Sequence, residues 1–189
     1  MDTEKTHSLA GQLLVAMPNM LDPNFHQTVT YVCEHSDSGA LGIVINRPMD
    51  MDIGEVLLQL SLNPNKEDNL HQPVLQGGPV QSERGFVLHE SSHNWDSTTE
   101  VGHSIYVTTS QDILSDVAAG NGPGRMLMAL GYAGWEAGQL EHEIRQNAWL
   151  TVPASPDLVF ETPFQDRWKA AAKSIGIDPA SLSLYAGNA

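Results

Sequence analysis

Two histidines four residues apart form the pattern in this chain that is easiest to connect with a reaction. His89, Glu90 and His93 match the zinc-protease motif, in which both imidazoles hold the metal and the glutamate activates water. That chemistry requires a helix, because one helical turn brings the two rings to the same face. The run before His89 is typical of a strand, and Ser91 and Ser92 do not favour a helix. We therefore expect a strand end followed by a surface loop, and no metal site.

Cys33 and His35 have the residue types of a nucleophile and its general base. Residues two apart on a predicted strand share a face, but their Cβ atoms lie roughly 6 to 7 Å apart, which is too far for the ring to reach the sulfur. We interpret Cys33 as a small buried residue. Because the chain has one cysteine, an internal disulfide is excluded and a reducing cytoplasm is the expected compartment.

The scarce basic residues are informative because of where they lie. Arg47, Arg84 and Arg125 each stand beside glycine, proline or a predicted strand end. A guanidinium in such a position can hold a carboxylate or phosphate through two parallel hydrogen bonds. It can equally pair with one of the 23 acidic residues of the chain. The sequence leaves both alternatives open.

The overall charge excludes some classes of partner. Nine lysines and arginines against 23 aspartates and glutamates give a net charge of −14. This charge disfavours nonspecific binding to nucleic acid or to an anionic membrane surface. No stretch approaches the ~20 apolar residues of a membrane span, and the apolar run at 13–17 is too short for a signal peptide. These observations predict a cytoplasmic protein.

Strands and helices are interspersed without the regular βαβ order of a parallel sheet, which predicts an α+β fold. We expect one domain over residues 1–189, a flexible N-terminus at 1–8 and a helical C-terminal part at 154–189. Helices are predicted at 53–60, 111–119 and 139–146, the first with a capping box of Asp52 and Glu55 and the second capped by Ser110. Strands are predicted at 12–16, 27–34, 41–45, 73–76, 86–89, 105–108, 125–130 and 148–152.

Four blocks of sequence, in order, resemble one known family. They are the segment 9–25, the segment 33–48 with its Gly-Ile-Val-Ile-Asn-Arg-Pro run, the segment 77–89 with Gly-Gly-Pro-Val, and the segment 130–150 with Leu-Gly-Tyr-Ala-Gly-Trp. Together they are similar to the YqgE/AlgH family of bacterial proteins. The resemblance implies a single compact mixed α/β domain with a strongly bent mixed β-sheet flanked by short helices. It also implies a cytosolic protein of unsettled biochemistry, associated with control of production of the exopolysaccharide alginate.

The same blocks combine glycines with polar residues at the ends of elements, which is typical of a ligand-binding cleft. The structural alternative is that the glycines only permit tight turns. His89 is the candidate catalytic residue. The candidate ligand-binding residues are Asn46, Arg47, Gly77, Gly78, Arg84, Tyr132, Trp135 and Gln139.

Three hypotheses about function follow. The first is a regulatory protein that acts indirectly, through a small molecule or a protein partner in a polar cleft near Arg47, Arg84 and His89. The alternative is a hydrolase with His89 as general base and Arg47 or Arg84 binding an anionic group. Direct DNA binding ranks last, because the sequence contains no helix-turn-helix signal and no basic face. No cofactor is expected, and the oligomeric state stays open, a monomer being compatible with the sequence.

Overall fold

The computed structural model of the chain describes residues 7–64, 70–90 and 93–185. The strands in these ranges are β1 (Gln12–Ala16), β2 (Val29–Ser36), β3 (Gly39–Val44), β4 (Pro48–Asp52), β5 (Pro73–Gln76), β6 (Val80–His89), β7 (Thr98–Gly102), β8 (Ile105–Thr108), β9 (Met126–Glu136) and β10 (Trp149–Pro153). The α-helices are α1 (Ile53–Gln59), α2 (Asp112–Ala119), α3 (Gln139–Arg145), α4 (Arg167–Lys173) and α5 (Pro179–Tyr185). A π-helical turn (Asp157–Glu161) and a 3-10 turn (Phe164–Asp166) precede α4.

The strands form one mixed sheet in the order β10-β1-β2-β3-β9-β6-β8-β7. Its pairs along this order are antiparallel, whereas β5 lies parallel to β9 and antiparallel to β4. The sheet curls back on itself: a Cβ added to Gly11, just before β1, would lie 3.4 Å from Cδ2 of His103, just after β7. The sheet is therefore strongly bent into a half-barrel, and with its short helices it has the predicted α+β fold.

Three clusters of buried apolar side chains hold the layers together. The interior cluster fills the half-barrel. It includes residues from seven of the eight strands in the order given above and from α4. A second cluster packs α1 and α2 against the outer face of the sheet, and a third packs α3 against the outer face near β1, β9 and β10. Both faces of the sheet are covered by apolar clusters. For this reason the sequences of its central strands are runs of apolar residues and do not strictly alternate with polar ones.

Strand β2 corrects one expectation about burial. Its sequence predicts a strand buried on the face of Val29, Tyr31 and Cys33 only, but all five residues Val29–Cys33 are buried. Tyr31 faces the interior cluster, whereas Val32 packs into the cluster beneath α3. Over these five residues the side chains alternate between the two faces as expected, but each face has a core.

The helix starts are partly as predicted. Asp52 caps α1 and forms the expected capping box, accepting the Glu55 N–H at 2.9 Å while the Glu55 carboxylate accepts the Asp52 N–H at 2.9 Å. At α2 the prediction is wrong, because Gln111 occupies the cap position and makes no side-chain cap bond. The Ser110 hydroxyl instead donates to the Asp112 carboxylate at 2.5 Å.

Residues 1–6, most of the predicted flexible N-terminus, and residues 186–189 lie outside the described residues. Ser8 makes a specific contact, its hydroxyl donating to the His35 carbonyl at 3.2 Å. In the described part of the chain, no helix is long and apolar enough to cross a bilayer.

Candidate functional site

A cavity of about 410 Å³ opens where the interior of the half-barrel meets solvent. We call it the mouth cavity. Its floor is apolar and belongs to the interior cluster: Cys33, Leu41, Phe86, Val101 and Val107. Its rim is polar: Glu34, Arg84, Asp96, Ser97, Thr98, Thr99 and Thr109. Barrel mouths with an apolar floor and a few polar rim groups are frequent ligand sites.

Arg84 is the cation of this rim, and aromatic rings hold it in place. Its Cζ lies 5.0 Å from the centroid of the Phe86 ring and 5.7 Å from that of Tyr132. The two rings meet edge to face with centroids 5.9 Å apart. Among the residues that the structure describes, no carboxylate forms an ion pair with Arg84. Arg84 is exposed, and its guanidinium donates no hydrogen bond to another described residue, so it is available to an anionic ligand.

Asn46 and Arg47 lie elsewhere, and both bond to backbone atoms. Arg47 donates from Nη1 to the Asn24 carbonyl at 2.7 Å and from Nη2 to the His26 carbonyl at 3.1 Å. Partial burial lowers its pKa, which the charge of Asp22 partly offsets. Asn46 accepts the Val29 N–H at 2.9 Å. These contacts fasten the loop between β1 and β2 to the end of β3.

A separate cavity of about 470 Å³ has Arg47 in its wall. Its other walls include Phe164, Trp168 and Lys169 from the C-terminal segment, so this cavity does not share the rim of the mouth cavity described above. Arg47 and Arg84 thus line two different cavities.

His89 is fully buried at the end of β6. Its Nε2 lies 2.7 Å from the Thr108 hydroxyl, and its ring stacks on Tyr106 and meets Trp95 edge to face. Arg84 is five residues earlier on the same strand, a separation of roughly 16 Å along an extended chain, and an odd spacing turns the two side chains to opposite faces. These contacts do not bring His89, Arg84 and Arg47 into one cleft.

The position of His89 also bears on the zinc motif. The residue ends a strand rather than opening a helix, whereas Ser91 and Ser92 lie outside the described residues. His93 lies against Trp95 with ring centroids 4.6 Å apart. No group of three or more metal-ligating side chains occurs in the part of the chain that the structure describes.

Gly77 and Gly78 pack directly against the backbone of β9. A Cβ added to Gly77 would lie 2.3 Å from the Gly131 carbonyl oxygen, and one added to Gly78 would lie 2.1 Å from the Tyr132 carbonyl carbon. The Gly77 N–H donates to the Leu130 carbonyl at 2.8 Å. Both glycines therefore allow a close approach of two backbones, which is a structural role other than the tight turns that the sequence offered as the alternative.

Trp135 and Gln139 belong to a third group of contacts, beneath α3. The Glu143 carboxylate accepts the indole N–H groups of Trp135 and Trp149 at 2.9 and 2.8 Å, and it accepts the Gln139 amide at 3.0 Å. The Phe25 ring stacks on Trp135 with centroids 6.2 Å apart. Trp135 is buried here. Among the predicted ligand-binding residues, Arg84 lines the mouth cavity, and Tyr132 contacts its guanidinium from outside the lining.

The hydroxyl-rich part of the rim was missed at the level of sequence. Ser97, Thr98 and Thr99 lie at the start of β7, a strand that was not predicted. A signal was present, because β-branched residues occupy 98, 99 and 101 just before a glycine. Glu100 and two nearby histidines, however, make the segment resemble a polar loop.

The comparisons with known proteins point to one family. The AlgH-like family model matches residues 13–180. UPF0301 proteins of Xanthomonas campestris pv. campestris and Xanthomonas oryzae pv. oryzae are each 49% identical to the chain over 181 residues, which covers 96% of both sequences.

Two solved structures are similar over almost the whole chain. The solution structure of the AlgH protein from Pseudomonas aeruginosa has a TM-score of 0.78 and 48% identity, covering 100% of this chain and 98% of that one. The crystal structure of a protein from Corynebacterium diphtheriae shares the fold, with a TM-score of 0.71 at 22% identity over 93% of this chain and 90% of that one. The family resemblance of the four sequence blocks is confirmed: the chain belongs to the AlgH-like family.

Proposed function

We propose that this protein is a regulatory binding protein that takes a small polar ligand in the mouth cavity. The observation that carries the proposal is the guanidinium of Arg84, held over Phe86 and Tyr132 and making no ion pair among the described residues. An arginine that is placed by aromatic rings rather than by a carboxylate keeps its charge for a partner. The ligand accordingly carries an anionic group.

The rest of the rim constrains the ligand further. Glu34 and Asp96 add two carboxylates, and the hydroxyls of Ser97, Thr99 and Thr109 can both donate and accept. A simple anion would be repelled by the two carboxylates, whereas a ligand with an anionic group at one end and hydrogen-bond donors at the other would satisfy both signs. Amino acids and short peptides have this combination.

The hydrolase hypothesis has less support. A general base must reach its substrate proton directly or through one water, but His89 is fully buried and its Nε2 already meets the Thr108 hydroxyl. Among the described residues no base forms a hydrogen bond with the Cys33 thiol, which donates to the Tyr31 carbonyl, and burial raises the pKa of the thiol, which keeps it protonated. Binding without turnover is therefore the function that this geometry supports best.

The biological setting is proposed from the family and from the charge. The resemblance implies a part in control of alginate production, and the net charge of −14 supports an indirect part, through a ligand or a protein partner, in the cytosol. Direct DNA binding is the outcome we expect least. Salt-sensitive binding of a DNA duplex in a mobility-shift assay would contradict this charge argument.

A titration followed by backbone-amide NMR tests the proposed site. The probes are inorganic phosphate and the dipeptide glycylglycine. We expect saturable shifts at Ser97, Thr99 and Thr109 with the dipeptide, and much weaker binding of inorganic phosphate, which the two rim carboxylates repel. The variant Arg84→Ala should abolish these shifts, and the variant Arg145→Ala, which removes the same charge from an exposed position on α3, should retain them. Equal shifts in the Arg84→Ala protein, or no saturable shifts at the rim in the parent protein, would overturn the proposal.

A further inference from the structure

A second cavity, of about 330 Å³, lies on the outer face of the sheet. We call it the outer cavity. Helix α1 forms one wall and the start of α2 the other, and β6 and β9 form the floor. Its apolar lining consists of Met51, Val56, Leu60, Phe86, Val87, Leu114, Met128 and Leu130. The layer above the sheet is therefore not completely filled at this point, although the cluster around it is well buried.

Gly85 explains why space remains there. It lies on β6 two residues before Val87, so a side chain at this position would point toward the same outer face. A Cβ added to Gly85 would have one neighbour within 4 Å, Cδ2 of Leu130 at 3.9 Å. This glycine is not needed for an unusual backbone angle or for a close approach of two strands. Its missing side chain leaves the floor of the cavity open.

The polar end of the outer cavity offers a carboxylate and amide groups to a ligand. Gln59, Glu83 and Gln111 supply amide and carboxylate groups, and Glu83 is the one ionised side chain among the lining residues. The Ser110 hydroxyl is already engaged, since it accepts the Ser97 N–H at 3.0 Å and donates to Asp112. A ligand with an anionic end group would face a carboxylate and no cation in this lining, which is unfavourable. An end group that donates a hydrogen bond, whether uncharged or cationic, could donate it to the Glu83 carboxylate.

We propose that the outer cavity binds a small apolar molecule with a ring or hydrocarbon body and an uncharged or cationic hydrogen-bond donor at one end. The volume lies at the lower bound of the range for small-molecule sites, and the lining has the usual composition of a largely apolar wall with a few polar groups. The site is distinct in chemistry from the mouth cavity, whose cation is Arg84. It does not depend on the function proposed for that cavity.

Two fluorescent probes with the same ring system test the charge requirement. N-phenyl-1-naphthylamine is uncharged and has one N–H donor, and 8-anilinonaphthalene-1-sulfonate adds a sulfonate to the same body. We expect saturable binding of the uncharged probe with one site per chain, and binding of the sulfonate weaker by about tenfold or more. Equal or tighter binding of the sulfonate would overturn the proposed head-group chemistry.

A pair of glycine variants tests the location. Gly85→Val fills the floor of the outer cavity and should weaken binding of N-phenyl-1-naphthylamine by about tenfold or more. Gly124→Val is the control, because a Cβ there meets nothing within 4 Å, and it should bind like the parent. Urea unfolding of both variants establishes that they fold. If Gly85→Val does not fold, Leu60→Ala takes its place, with Leu58→Ala as its control on the solvent side of α1.

A methyl NMR measurement makes the test independent of fluorescence. With methyl-labelled methionine, the probe should shift the resonances of Met51 and Met128 and leave that of Met20, on the other side of the molecule beneath α3, unchanged. The same shifts should persist in the Arg84→Ala protein, which separates this site from the mouth cavity. Unchanged Met51 and Met128 resonances at saturation, or unimpaired binding by the variant with a filled cavity, would overturn the proposal.

Discussion

The Nε2 atom of His35 lies 2.5 Å from Oε1 of Glu141, and this contact joins β2 to α3 across 106 residues of sequence. The Nδ1 atom of the same ring accepts the Leu9 N–H at 2.8 Å. A nitrogen that accepts a hydrogen bond carries no proton, so the ring is the neutral tautomer with its proton on Nε2, and it donates that proton to Glu141. The contact thus fixes both the tautomer of the ring and the position of α3.

We predict that Glu141→Gln is less stable than the parent at about pH 7 and that the difference narrows in acid. Burial of the Glu141 carboxyl raises its pKa, but its hydrogen bonds with a backbone N–H and with His35 outweigh burial and leave the pKa lowered. A carboxyl whose pKa is lowered in the folded state stabilises the protein above the unfolded value, near 4.3, and this contribution disappears as the pH falls through the folded value. The expected loss at neutral pH is about 1 kcal/mol.

Urea unfolding of the parent and of Glu141→Gln at about pH 7 and about pH 4 measures this difference. The control is Glu136→Gln, which removes the same charge from an exposed side chain at the end of β9. A difference between parent and Glu141→Gln that is equal at both pH values would show that the carboxylate of Glu141 contributes nothing through its charge.

The carboxylate that accepts two indole N–H groups gives a second prediction. Trp135 and Trp149 are buried, and the Oε2 atom of Glu143 accepts a hydrogen bond from each. Glu143→Leu would leave both indole groups without an acceptor, at a loss of roughly 2 to 4 kcal/mol in the free energy of unfolding. Glu143→Gln keeps one acceptor oxygen and should lose less.

Urea denaturation followed by tryptophan fluorescence separates these variants, with Glu136→Leu as the surface control on β9. The expected order of stability is Glu136→Leu, then Glu143→Gln, then Glu143→Leu. If Glu143→Leu were as stable as Glu136→Leu, the two indole hydrogen bonds would not be a source of stability.

Sequence signals between residues a few positions apart were sufficient to predict elements whose ends are set by a local motif. Asp52 and Glu55 predicted the start of α1, because a capping box depends on residues three apart. Strand β9 was predicted to end at Leu130, yet it continues to Glu136, because Gly131 at φ 79° bends the strand without ending it. The continuation pairs with β3, and no local signal carries that pairing.

The faces of β2 show why site geometry is harder to predict. Cys33 and His35 are two apart and were expected to share a face. That expectation is wrong, since the register with β3 shifts between Val32 and Glu34 and Cys33 becomes the extra residue of a bulge. Cys33 faces the interior cluster, as Tyr31 does. The bulge changes the face taken by the residues that follow it, so His35 bonds to Glu141 on α3, outside the half-barrel. The position of Arg84 at the mouth cavity likewise depends on the curl of the whole sheet.

Gly78 supports a third prediction, which separates a structural glycine from a ligand contact. Its φ of 155° lies in the region that glycine favours, and an added Cβ would meet the Tyr132 carbonyl carbon at 2.1 Å. The atoms it would meet are backbone and cannot rotate away. Gly78→Ala should therefore lose at least about 3 kcal/mol of stability or fail to fold.

The matched control is Gly124→Ala, at an exposed position where a Cβ meets nothing within 4 Å. Thermal unfolding of both variants decides the matter. A Gly78→Ala protein with the melting temperature of the parent would mean that the loop after β5 can move away from β9, and Gly78 would again be a candidate ligand contact.

Arg125 leads to the last prediction, because the structure resolves the two alternatives left open for it in favour of acidic partners within the chain. Its Nε and Nη2 donate to the two carboxylate oxygens of Glu90 at 2.5 Å each, and its Nη1 lies 2.8 Å from Asp157 and 2.6 Å from Glu161. The hydrogen bonds from Arg125 lower the pKa of Glu90, although burial and the charge of Asp157 oppose this. One guanidinium thus fastens the π-helical turn to the end of β6.

Arg125→Gln should loosen that turn, because three carboxylates would then repel one another without a cation between them. We expect faster amide exchange at Val159 and a loss of stability that is larger at about 0.1 M salt than at about 1 M, since salt screens exposed charges. Arg145→Gln, exposed on α3, should change neither quantity. If the loss in Arg125→Gln did not depend on salt, the contribution of Arg125 would come from hydrogen-bond geometry and packing rather than from its charge.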